Sequence, residues 1–89
     1  MAGETILVVD DSRPTREFIV DYVLKPKGFL AILAVDGEEG VQLALEQSPD
    51  LIILDVELPR LDGMGVLHAL KANGLSIPVS MSTAHGSEQ

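Results

Sequence analysis

Short aliphatic runs alternate with helical patterns along most of this chain, and that alternation limits the folds it can adopt. Residues 6–9 and 51–54 are continuous runs of Ile, Leu and Val, which is typical of strands buried on both faces. Residues 29–35 and 77–82 predict two more strands, with Pro78 near the start of the last. Helical patterns lie between the strands, so the strands are expected to be parallel and joined by right-handed crossovers.

Three helices are predicted between these strands. The first begins after Ser12, a capping residue, and ends near Pro26 and Gly28. Asp36 begins the second, and residues 63–73 form the third, which Gly74 helps to end in a left-handed cap. Apolar residues at helical spacing are Phe18, Ile19, Tyr22 and Val23 on the first helix, Val41, Ala44 and Leu45 on the second, and Met64, Leu67 and Leu70 on the inner face of the third.

Length and composition exclude several classes of protein. The chain has 89 residues, enough for one domain over residues 1–89, and 46% of them are hydrophobic, enough for a core. A net charge of -8 argues against binding nucleic acid or an anionic membrane surface. The absence of cysteine excludes disulfides and thiolate metal sites. No signal peptide or membrane-spanning run is visible, so the expected compartment is the cytoplasm.

Three carboxylates follow the predicted strands: Asp10 and Asp11 after the first, and Asp55 after the third. If those strands are neighbours, the carboxylates meet at one edge of the sheet, where ligands bind in such folds. Close like charges need a cation or a proton, and an all-oxygen set favours magnesium or another hard divalent ion. Thr83, after the fourth strand, has a hydroxyl that could point there. Asp10 alone is more simply read as a capping residue, but the whole set argues against coincidence.

Four segments, in this order and at this spacing, make the chain resemble the receiver domains of two-component signalling. The resemblance runs from Thr5 to the end. The segments are residues 6–12 (ILVVDDS), 51–55 (LIILD), 58–63 (LPRLDG) and 78–84. The resemblance implies a three-layer, flavodoxin-like parallel sheet that is incomplete, with about four strands in the order 2-1-3-4 and three helices.

The resemblance also implies a role for each residue of the site. Asp55 would take a phosphoryl group from a phosphohistidine on a sensor histidine kinase. Asp11, Asp55 and the backbone carbonyl of Glu57 would bind Mg²⁺, and Asp10 would act mainly through a metal-bound water. Thr83 would hydrogen-bond a phosphoryl oxygen. Such a domain is a phosphorelay substrate and switch, and not an enzyme.

The sequence departs from the family pattern at its end. The family's fifth strand, with its lysine and aromatic switch residue, and its last helices have no counterpart in residues 1–89. We therefore expect a C-terminally truncated receiver domain whose fourth strand is an open edge. A second copy, as a homodimer, or another chain is expected to cover that edge. Ser80 is either a tolerated polar residue or a sign that its face of the strand need not be apolar.

Other interpretations stay open. A metal-dependent phosphatase with an aspartate nucleophile would place its second aspartate two residues along, whereas Asp10 and Asp11 are adjacent. The chain could also be a non-switching, self-associating fragment of the fold, or a design building block. Arg13, Arg16 and Lys25, on or beside the first helix, are candidate kinase contacts.

Overall fold

The computed structural model describes residues 3–56, 58 and 60–82, with Ser82 described for its backbone only. The strands are β1 (Thr5–Val9), β2 (Leu30–Ala34), β3 (Leu51–Asp55) and β4 (Val79–Ser82), and the helices are α1 (Arg13–Ile19), α2 (Gly37–Gln47) and α3 (Gly63–Ala72). All strand pairs are parallel, in the order β2-β1-β3-β4. The predicted α/β class, strand order and number of helices are confirmed.

Helices lie on both faces of the sheet, which makes three layers, although Leu33 of β2 and Ser80 of β4 stay exposed on the side of α1. On the face that carries α2 and α3, one buried cluster joins strand and helix side chains: Leu7, Val9, Ala34, Ala44, Ile52, Leu54, Val66 and Leu70. On the opposite face, Ile6 and Val8 pack against Leu24 and the half-buried Ile19 and Val20. Successive residues of a strand point to opposite faces, so a strand between two helical layers must be apolar throughout. That requirement explains the uninterrupted aliphatic run of β1.

The helix after β1 ends where predicted, near Pro26 and Gly28, but it is less regular than its pattern indicates. α1 runs into a π-helical turn, Val20–Leu24, and then a 3₁₀ turn, Lys25–Lys27, which ends at the left-handed Gly28 (φ 78°). A π turn takes up an extra residue, and it places Leu24 rather than Val23 on the same side as Ile19.

The apolar face predicted for the first helix is therefore wrong in part. Phe18 is 57% exposed and Tyr22 is 71% exposed, and their rings lie 5.0 Å apart on the outer side. On α3, Met64 is exposed, because Val66 and Leu70, four residues apart, face the sheet instead. Similarly, Leu45 of α2 is partly exposed while Ala44 is buried.

The helix ends follow the predicted capping residues. The Asp36 carboxylate accepts a hydrogen bond from the Glu39 N–H (2.8 Å), while the Glu39 carboxylate accepts one from the Val35 N–H (2.8 Å). The pair differs from a capping box by one residue, because Glu39 accepts from the residue before the N-cap Asp36 and not from Asp36 itself. After α3, Gly74 takes the left-handed conformation (φ 77°) predicted for it.

The described residues contain no helix that is both long enough and apolar enough to cross a membrane.

The first turn of α2 lies against the loop that follows β3. A Cβ atom placed on Gly37 would lie 1.7 Å from the backbone carbonyl oxygen of Leu61. The contact is with backbone, so a side chain can be accommodated only if the helix or the loop moves. Gly37 therefore sets how closely α2 approaches the edge of the sheet where β1 and β3 end.

We predict that Gly37→Ala lowers the free energy of unfolding by about 2 kcal/mol, because the added methyl group overpacks this contact. Gly65→Ala is the matched control, since its Cβ would meet the end of the Leu61 side chain (2.5 Å), which can rotate away. Urea denaturation of both variants measures the difference. Equal stability of the two variants would contradict the prediction.

Candidate functional site

The three predicted carboxylates meet at the carboxyl end of β1 and β3. Each of Asp10, Asp11 and Asp55 offers one oxygen, and these oxygens all lie within 4.8 Å of one another. The strands are direct neighbours, and Val9 pairs with Leu54, so the residues that follow them emerge side by side. The spatial convergence predicted from the sequence is confirmed.

Burial differs among the three side chains. Asp10 is 2% exposed and Asp55 is 1% exposed, and they are the buried charged residues among those described. Asp11, in contrast, is exposed. Packing therefore holds two of the carboxylates in place, whereas the position of the third depends on the turn between β1 and α1.

Hydrogen bonds to its backbone and side chain fix the β1–α1 turn. The Asp10 N–H donates to the carbonyl oxygen of Ala34 in β2 (3.1 Å), which continues the sheet by one residue. The Ser12 N–H donates to the Asp10 carboxylate (2.8 Å), and the Ser12 hydroxyl caps α1 by accepting from the Thr15 N–H (3.4 Å). On the other side of the turn, the Arg16 guanidinium donates to the Asp10 backbone carbonyl (2.6 Å).

The loop after Asp55 is closed at its base. The Gly63 N–H donates to the Val56 carbonyl oxygen (3.1 Å). A Cβ atom on Gly63 would lie 2.9 Å from Val56 Cα and 3.0 Å from the Asp55 carbonyl oxygen, so α3 begins directly against the end of β3. The Asp62 carboxylate caps α3 by accepting from the Gly65 N–H (2.9 Å).

At its outer end the same loop is joined to α2 by Arg60. The guanidinium donates to the Glu38 carboxylate (2.9 and 3.1 Å) and lies 3.8 Å from Asp36. The hydrogen bond to Glu38, and then the charges of Glu38 and Asp36, raise the pKa of Arg60 above its ordinary value. Arg60 has φ 71°, in the left-handed region that a residue with a side chain rarely adopts.

The donor set fits a hard divalent cation. Two carboxylates about 4 Å apart repel each other by about 4 kcal/mol at an effective dielectric constant of 20, so three of them favour a positive charge between them. Carboxylate oxygens without histidine or cysteine are ligands of Mg²⁺ or Ca²⁺ and not of softer metals. An exposed third ligand leaves one side of the cluster open to water and to a phosphate oxygen.

Two predicted site residues, Glu57 and Thr83, lie outside the described residues, and their roles stay predictions. The neighbouring backbone is described, since Ser82 at the end of β4 pairs with Asp55. The contacts of Arg16 and Arg60 were not predicted. The only signal for Arg16 was its position five residues after Asp11, and nothing in the sequence indicates the partners of Arg60.

Comparison with known proteins identifies the family to which the chain is similar. The family model described as the response regulator receiver domain matches residues 6–89. The alkaline phosphatase synthesis transcriptional regulatory protein PhoP of Bacillus subtilis is 43% identical over 86 residues, which cover 97% of this chain and 35% of that protein. Response regulator MprA of Mycolicibacterium vanbaalenii is 42% identical over 82 residues, covering 92% of this chain and 35% of MprA. The chain thus spans about a third of the length of these relatives.

Solved structures agree with the fold. The receiver domain of Francisella response regulator 1452 superposes with a TM-score of 0.86 at 29% identity, over 97% of this chain and 70% of that one. The receiver domain of the sensor histidine kinase PA1611 from Pseudomonas aeruginosa, described with a magnesium ion coordinated in its active-site cleft, gives a TM-score of 0.82 at 32% identity, over 98% and 72% of the two chains. Fold, acidic cluster and sequence similarity together show that this chain belongs to the response regulator receiver domain family.

Proposed function

We propose that Asp55 is the phosphoacceptor of this domain and that Asp10, Asp11 and Asp55 hold a Mg²⁺ ion beside it. The observation that carries the proposal is the meeting of these three carboxylates at the edge of the sheet, in a chain that belongs to the receiver family. The resemblance adds two further roles. The backbone carbonyl of Glu57 is a proposed metal ligand, and the Thr83 hydroxyl is a proposed donor to a phosphoryl oxygen.

In the proposed reaction, a carboxylate oxygen of Asp55 attacks the phosphorus of a phosphohistidine. An O–P bond forms to Asp55 as the N–P bond breaks, and the imidazole leaves with the bonding electron pair. Phosphoryl transfer depends mainly on positioning and on stabilising the charge of the transferring group. Burial at the end of β3 restricts the Asp55 side chain, and the Ser12 N–H orients Asp10. Bound Mg²⁺ supplies neutralisation of charge on the carboxylates and phosphoryl oxygens.

The proposed donor is a sensor histidine kinase in the cytoplasm, as the family implies. The domain then acts as a substrate and switch. The competing interpretation, a non-switching fragment of the fold, predicts no acceptance of phosphate, and the experiments below separate the two.

Removal of one buried charge should make the metal-free protein more stable. Asp55→Asn keeps the shape of the side chain and removes one of three close negative charges, so we expect an increase of about 1 kcal/mol in the free energy of unfolding without Mg²⁺. Wild-type protein should gain about 2.7 kcal/mol when Mg²⁺ is raised to 100 times its dissociation constant. The variant should gain much less.

Urea denaturation with and without Mg²⁺ tests both statements. Asp21→Asn is the control. Asp21 is exposed and lies in the π-helical turn Val20–Leu24, so this variant should keep the full response to Mg²⁺. An equal Mg²⁺ response in wild type and Asp55→Asn would count against the site.

Phosphate acceptance is tested with acetyl phosphate and Mg²⁺, followed by intact mass spectrometry. Wild type and Asp21→Asn should each gain one phosphoryl group, whereas Asp55→Asn should gain none, because an amide oxygen is a poor nucleophile. Omission of Mg²⁺ should abolish the gain. If wild type stays unmodified under all conditions, the non-switching interpretation is correct.

We also propose that a second copy of this chain covers the edge of β4. Within the described part of the chain, β4 pairs with β3 on one side and with no strand on the other. An exposed strand edge favours pairing with another chain, and a two-fold dimer is the simplest closed assembly.

Sedimentation at micromolar concentration should therefore give the mass of a dimer for the 89-residue chain. Ser80→Lys places a charge on the exposed edge strand and should shift the protein towards monomer. The variant should still unfold in urea in a single cooperative transition. A folded wild-type monomer would reject the dimer.

A further inference from the structure

Arg16 connects helix α1 to the acidic cluster. It lies in the first turns of the helix, and its side chain is half-buried. From there it reaches back six residues, and Nη1 donates to the backbone carbonyl oxygen of Asp10 at 2.6 Å. A charge-assisted bond of this length is among the stronger hydrogen bonds in proteins. Its half-burial also makes Arg16 a poorer kinase contact than Arg13, whose side chain is 80% exposed.

The bond lies where the sheet stops supporting β1. The Asp10 N–H still donates to the carbonyl of Ala34 in β2. Beyond Ala34, the last residue of β2, the chain turns towards α2, and the Val35 N–H donates to the Glu39 carboxylate. At this point the Asp10 carbonyl accepts a hydrogen bond from the guanidinium of Arg16. The side chain of Arg16 thus holds the backbone of β1 where the hydrogen bonds between strands end.

This bond has a direct consequence for Asp11. The carbonyl of Asp10 and the N–H of Asp11 belong to one planar peptide group, so fixing the carbonyl also fixes the plane from which the Asp11 side chain departs. Asp10 and Asp55 are held by burial, but Asp11 is exposed. Of the three carboxylates, Asp11 therefore depends most on the orientation of its backbone.

We propose that Arg16 is a positioning residue for the metal site, acting through the Asp10 carbonyl to direct the Asp11 carboxylate into the cluster. The proposal rests on the proposed Mg²⁺-binding function. The positive charge of Arg16 acts in the opposite direction, since it repels a cation. Residues that orient metal ligands typically contribute 10- to 100-fold to metal affinity, so positioning outweighs this repulsion.

Two substitutions separate the hydrogen bond from the charge. Arg16→Met keeps the apolar stem and removes both the donor and the charge. Arg16→Lys keeps the charge and a donor but loses the reach and the fork of the guanidinium. Arg13→Met is the matched control, because Arg13 lies three residues earlier on the same helix and its exposed side chain pairs with Glu17.

The measurement is a Mg²⁺ titration of each folded variant, followed by backbone amide NMR shifts at Asp11 and Ser12. We expect Arg16→Met to bind Mg²⁺ about tenfold more weakly than wild type, Arg16→Lys to fall between the two, and Arg13→Met to match wild type. Loss of fold stability alone leaves the dissociation constant of the folded protein unchanged, so this readout separates positioning from a merely structural role.

A second readout uses acetyl phosphate over a range of Mg²⁺ concentrations. Arg16→Met should need about tenfold more Mg²⁺ to reach half of its maximal rate, with a maximal rate close to that of wild type. If Arg16→Met does not fold, the Lys variant carries the test, and its affinity must fall below that of wild type.

Three outcomes are informative. Affinity that is equal or tighter in Arg16→Met overturns the proposal, and tighter binding would show that the charge of Arg16 dominates. Weaker Mg²⁺ binding in Arg13→Met as well would also overturn the proposal, because loss of any positive charge on this helix would then have the same effect. Absence of Mg²⁺ binding in wild type would instead reject the proposed function itself.

Discussion

Repulsion between carboxylates at the end of β1 and β3 is the constraint on which the site depends. Asp10 and Asp55 are almost completely buried, and their oxygens lie within 4.8 Å of each other and of Asp11. Burial of a charge is costly unless another group compensates it. The sheet nevertheless holds these side chains together, because their strands are adjacent and packed on both faces. A fold built in this way resists the relaxation that would separate the charges, which is why the proposed Mg²⁺ would be favoured between them.

The sequence predicts this part of the molecule well because few physical rules decide it. An aliphatic run that fills both faces of a strand gives β1 and β3, and the helical crossovers between successive strands make them parallel. Parallel strands end at the same edge, so residues 10, 11 and 55 had to meet if the strands were neighbours. That adjacency came from resemblance to receiver domains, and the β2-β1-β3-β4 order confirms it.

Side-chain direction on the helices was harder to predict, for identifiable reasons. The π turn at Val20–Leu24 changes the helical period, and a calculation at 3.6 residues per turn therefore assigns Tyr22 to the wrong side. Phe18 lies before that turn, in the regular part of α1, where its neighbour Ile19 is the residue that packs against the sheet. Met64 was misassigned because the buried residues of α3 are Gly63, Val66 and Leu70, and that spacing turns the side chain of residue 64 outward. Long-range polar contacts, such as those of Arg60, leave no periodic signal in the sequence at all.

Two arginines hold the loops of the site from outside, by different physical means. Arg16 donates to a backbone carbonyl and is half-buried, whereas Arg60 pairs with carboxylates and is 62% exposed. Salt screens exposed ion pairs over distances near 8–10 Å but weakens a half-buried hydrogen bond to a carbonyl far less. The attachment of the β3–α3 loop to α2 should therefore loosen as ionic strength rises, while the β1–α1 turn keeps its shape. The acidic site thus combines a β1–α1 turn fixed by hydrogen bonds with a β3–α3 loop whose attachment to α2 depends on ionic strength.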